Sequence, residues 1–129
     1  MNNGNILDQF PKSLVQEVYN TLAQHNCALK IVNPRKTKRG DFRVLRRGYQ
    51  ITVNRDVNSY RFLFTLIHEI AHLHTYVKYG KRVKPHGKEW KKTFADLMID
   101  WGVLDFYTND KKLYEAVSEE LKNPKACSG

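Results

Sequence analysis

The sequence predicts an α+β domain, and three observations carry that expectation. Residues 58–80, NSYRFLFTLIHEIAHLHTYVKYG, place Leu63, Leu66, Ile67, Ile70, Leu73 and Val77 at three- and four-residue steps, the period of a long buried helix. Ahead of it, short stretches of apolar residues between turn signals read as strands. With 129 residues and 41% hydrophobic side chains, the chain is long enough for one domain with its own core. The expected arrangement is a small, antiparallel-rich sheet packed on the central helix and flanking helices. Its core spans about residues 10–122 of the single domain 1–129, with disordered ends.

Residues 1–9 read as a frayed lead-in. Leu14, Val15, Val18 and Leu22 have helical spacing within residues 10–26, and Pro11 is acceptable in the first turn. Cys27–Val32, CALKIV, reads as a strand that ends at Asn33 and Pro34. Residues 41–46 and 49–54 read as a hairpin turning at Arg46, Arg47 and Gly48, where Gly48 can take positive φ. Tyr49, Ile51 and Val53 alternate with Gln50, Thr52 and Asn54, which predicts one buried and one polar face. Asn58 or Ser59 caps the central helix and Gly80 stops it. A further helix starts near Pro85 or His86 and ends by Gly102, with Trp90, Phe94, Leu97, Met98 and Trp101 as its apolar stripe. Residues 110–121 read as a last helix, and the tail past Lys122 as disordered.

No apolar run approaches the ~20 residues of a membrane span. The start, MNNGNILDQFPK, lacks a basic and then apolar leader, and Cys27 and Cys127 make no disulfide framework, so a reducing cytoplasm is the expected compartment. The net charge of +9 is clustered. Residues 35–47 hold Arg35, Lys36, Lys38, Arg39, Arg43, Arg46 and Arg47 against Asp41 alone. Residues 78–92 hold Lys78, Lys81, Arg82, Lys84, Lys88, Lys91 and Lys92 against Glu89 alone. Two such clusters flanking one helix point to a polyanion such as DNA; a solvated basic surface is the alternative.

At the centre of the long helix stands HEIAH. His68 and His72 are one turn apart and project from one face, with Glu69 about 100° round from His68. Two imidazoles so placed suit Zn²⁺, with a third protein ligand from elsewhere, an open fourth position and Glu69 as general base. Two structural histidines satisfied in a core are the alternative. For the third ligand, His86 lies one turn before Trp90 and is favoured; Glu89, about 60° off that stripe, is the other candidate. His74 is about 200° round from His72 and is expected to be a core or surface residue. A third histidine six residues after the second is excluded, because that position is Lys78.

HEIAH, a thirteen-residue spacer, then His86-Gly87 followed by Trp90 and Lys91 resembles the SprT-like family of zinc metalloproteases, whose pattern is HExxH followed by HG-x-x-[FW]. The resemblance extends over roughly residues 10–105. It implies a zincin-like fold, Zn²⁺ on His68, His72 and His86, Glu69 as base, and a protein or peptide substrate. Spartan-type members cleave proteins crosslinked to DNA, which gives the basic clusters a DNA partner, with Tyr49, Tyr76, Tyr79, Trp90 or Tyr107 as stacking candidates. The chain departs from many members in having no paired cysteines for a C-terminal zinc ribbon. An edge of the sheet, through residues 49–53, is expected to hold an extended substrate; Tyr76, Tyr79 and Tyr107 are candidate oxyanion stabilisers. The rival function is a DNA-binding module with a structural or vestigial zinc site, whose fourth ligand would be Glu89, His74 or His25. A zincin acting on a non-peptide amide is the third.

Overall fold

In the computed structural model, residues 6–106 are described, together with Lys111, Glu115, Ser118 and Glu119. The helix expected over residues 110–121 and the tail past Lys122 fall largely or wholly outside them. A short 3-10 turn, Ile6–Gln9, opens the described chain. Ile6, Leu7 and Phe10 are buried, so this stretch packs into the core; the frayed lead-in is corrected for it. Helix α1 (Lys12–Gln24) follows Pro11 and buries Leu14, Val18 and Leu22.

Strands β1 (Cys27–Val32), β2 (Gly40–Leu45) and β3 (Gly48–Asn54) form the sheet of the described residues, in the order β1-β3-β2. The hairpin between β2 and β3 is antiparallel, with Gly48 at φ +145°, but β1 pairs with β3 in parallel. The sheet is therefore mixed. Residues 33–39 carry the chain across the end of β3 to its far side. Asn54, buried, clamps that crossing: its amide donates to the Lys38 carbonyl (2.7 Å) and its oxygen accepts from Arg35 Nε (2.8 Å).

Central position changes β3 in two ways. Thr52 and Asn54 are buried together with Ile51 and Val53, so the predicted polar face is covered at that end. Both of its edges are also taken, and the strand through residues 49–53 has no edge to offer a substrate. The edge beside the long helix belongs to β2.

Helix α2 (Ser59–Tyr79) is capped as the sequence predicts: the Asn58 side chain accepts from the Arg61 N–H at 3.2 Å, and Gly80 ends the helix at φ +66°. Its residues from Phe62 to Ala71 are all buried, packed on the sheet and on α3 (Lys88–Asp100). Helix α3 contributes Trp90, Phe94, Leu97 and Met98 to the core, and a short helix α4 (Val103–Phe106) follows Gly102. No helix of the described residues is long and apolar enough to cross a membrane.

Candidate metal centre

The helical period of α2 sets His68 and His72 on one face, with ring centroids 5.0 Å apart. The third imidazole arrives by a route the sequence did not predict. Helix α3 begins at Lys88, with Gly87 as its N-cap, so His86 is not in the first turn of the helix. It sits in the preceding loop at φ +61°, an uncommon conformation for a side-chain-bearing residue. The adjoining turn, Gly87 N–H to the Lys84 carbonyl at 3.0 Å, fixes the loop there.

From that position His86 Nε2 lies 3.0 Å from Nε2 of both His68 and His72. Ligands at ~2.05 Å around a tetrahedral ion stand roughly 3.3 Å from one another, so the spacing is close to what zinc requires. The three histidines form a group able to hold a metal ion. Burial holds the His68 ring down at about 3, aided by the charges of His72, His86 and Arg39, and the His72 ring at about 4, aided by His86. Burial lowers His86 as well. All three rings are therefore neutral near pH 7, the state in which imidazole binds metal.

Trp90 backs this group. It is fully buried, its ring lies 4.6–5.4 Å from all three imidazoles, and its indole N–H donates to the His68 carbonyl at 3.2 Å. Its place in the core rules it out as a stacking surface. Glu69 is fully buried beside the start of β2. A Cβ at Gly40 would stand 2.9 Å from Glu69 Oε2 and 2.7 Å from Thr65 Cγ2, so only glycine admits this approach of strand to helix. Gly40 was missed in the sequence because a position that matters for lacking a side chain leaves no pattern.

The other candidates lie elsewhere. His74 faces α1, with Nε2 2.6 Å from Thr21 Oγ1 and its ring 5.4 Å from that of His25. His25 Nδ1 meets the Thr21 carbonyl at 2.9 Å. Glu89 lines a separate cleft with Lys78, Lys88 and Lys92. Neither histidine nor Glu89 joins the three-histidine group, so among the described residues it has no fourth protein ligand from the residues considered. Tyr79 lines the same cleft as Glu89, Tyr76 lines one beside His72, and Tyr107 lies outside the described residues.

Some members of the basic clusters are ion-paired, and of these Arg43 and Lys92 are exposed all the same. Lys38 and Arg43 pair with buried Asp41, and Lys92 pairs with Asp96. Lys36, Arg46 and Arg47 are exposed on the β1–β2 crossing and the hairpin, and Lys78, Lys88 and Lys91 on α2 and α3.

A mixed sheet on an HExxH helix, with a third histidine delivered from the loop behind it, defines an α+β domain built around a three-histidine candidate metal centre. The chain belongs to the SprT-like family, whose family model matches residues 7–101. No curated protein and no solved structure matches it.

Proposed function

We propose that this protein is a zinc-dependent metallopeptidase acting on DNA-associated proteins. The observation that carries the reading is the convergence of three neutral imidazole nitrogens, with Glu69 next to His68 in the chain and packed against Gly40 at the start of β2. His68, His72 and His86 would hold the metal. Zinc, when bound, supplies Lewis acidity that polarises a peptide carbonyl and makes water acidic near neutral pH. Glu69, adjacent to His68, takes the proton of the attacking water and passes it to the leaving amine.

Substrate alignment falls to β2. The Asn54 N–H donates to the Arg39 carbonyl, and alternation from there turns the backbone groups of Gly40, Phe42 and Val44 away from β3. Those groups are available to pair with an extended peptide. Arg46 and Arg47 beside this edge, with Lys88 and Lys91 on α3, supply the positive surface for a DNA backbone. The lack of a fourth ligand among Glu89, His74 and His25 favours an open, catalytic site over a closed, structural one.

The test is a cleavage time course on zinc-loaded protein with and without single-stranded DNA, using a DNA-bound basic protein as substrate. The expected result is cleavage that DNA stimulates and that Glu69→Gln lowers by ~10²–10⁴-fold while keeping zinc. DNA binding without cleavage of any protein would replace the peptidase by a binding module.

A further inference from the structure

We infer that the cleft beside His72 is a specificity subsite, shaped for a bulky apolar substrate side chain followed by an acidic residue; this rests on the peptidase reading above. The cleft has a volume of about 250 Å³, with Trp90 of α3 among its lining residues and its apolar walls completed from β2, α2 and the loop between α2 and α3. Phe42 comes from β2, Tyr76 from α2, and Val83 and Pro85 from the loop that carries His86. The Phe42 and Tyr76 rings stand 6.1 Å apart, and both side chains are only partly buried, so the apolar surface faces the opening.

His72 ties this cleft to the chemistry, because it lines the cleft and also belongs to the three-histidine group. Phe42 ties it to the substrate track, since its backbone groups are among those β2 turns outward. A peptide paired with β2 at Phe42 thus carries a side chain past the cleft mouth next to the bond under attack. Lys81 and Lys84, both exposed, line the same cleft, and among the described residues no acidic side chain does. An apolar floor with two cations at its rim complements an apolar side chain with a carboxylate beside it.

The test uses zinc-loaded Glu69→Gln protein and fluorescein-labelled ten-residue Gly/Ser peptides carrying Phe-Asp, Ala-Asp or Phe-Lys at the centre. Phe-Asp should bind about tenfold more tightly than Ala-Asp, the scale on which an apolar pocket discriminates. Tyr76→Ala should erase that difference. Lys81→Glu with Lys84→Glu, two exposed changes that leave the core intact, should make Phe-Lys the tighter ligand than Phe-Asp. Equal binding of Phe-Asp and Ala-Asp, or an unchanged charge preference in the double variant, overturns the assignment. The wild-type protein on the same peptides, with zinc and single-stranded DNA present, separates the two claims. Cutting without preference sinks the subsite and leaves the peptidase, whereas selective binding without cutting keeps the subsite and sinks the peptidase.

Discussion

His72 and His74 stand two residues apart on α2, are both partly buried, and are both held below the ordinary imidazole range, chiefly by burial. Their surroundings differ. His72 Nε2 meets another imidazole nitrogen, that of His86, at 3.0 Å. His74 Nε2 meets the Thr21 hydroxyl at 2.6 Å, which ties α2 to α1. Burial and lowered basicity thus mark both a candidate ligand and a structural tie. What separates them is the group opposite: a hydroxyl completes a local tie between two helices, while three neutral imidazoles meeting at Nε2 form a group able to hold one metal ion together.

The sharpest way to break this contrast is to truncate each ring and measure zinc by mass spectrometry. His72→Ala should lose stoichiometric zinc, a larger effect than the ~10–100-fold typical of outer residues. His74→Ala should keep full zinc and cost about 1 kcal/mol in a urea titration, the worth of one hydrogen bond. Zinc lost from both variants, or from neither, would dissolve the distinction.

A smaller effect is expected from the other side of the centre. Gly40→Ala forces a methyl against Thr65 and Glu69 and should cost roughly 1–3 kcal/mol of stability. Zinc content should stay normal while turnover falls, because the histidines are untouched and Glu69, the proposed base, is displaced. Unaltered stability and turnover would mean that β2 shifts aside freely and does not position Glu69.

The smallest effect concerns the N-terminal end of α2, far from either histidine. Arg61 hydrogen-bonds Asp56 and holds its carboxyl below the ordinary range; burial opposes this, and the Asn58 N–H adds to it. A depressed carboxylate stabilises the fold above its unfolded value of 3.8, and the contribution fades as pH falls through the lower folded value. The stability gap between wild type and Asp56→Asn should therefore be constant near neutrality and shrink below about pH 4. A gap that widens in acid would reverse the assigned sign.

Helix α2 was legible because each of its signals is local: Asn58 caps it, Gly80 stops it, and its apolar period is unbroken. The convergence of His68, His72 and His86 was legible too, though not the means. His86 precedes Trp90 by one turn's worth of residues and so mimicked a helical position, but Gly87 intervenes as the cap. The parallel pairing of β1 with β3 was out of reach, since alternation records which residues face a core and not which strand lies alongside. For the same reason Thr52 and Asn54 read as an exposed face until β3 proved central.

An edge open to one peptide is open to every strand, copies of this protein included, which makes β2 a template for self-association. Arg43, Arg46 and Arg47 line that edge and its turn, all exposed. Two such edges brought together would oppose like charges, whereas an acidic or neutral segment meets no such barrier. The barrier is electrostatic and shrinks with the ~10 Å screening length of 0.1 M salt. Solubility and partner choice at this strand therefore share one cause, and ionic strength acts on both together.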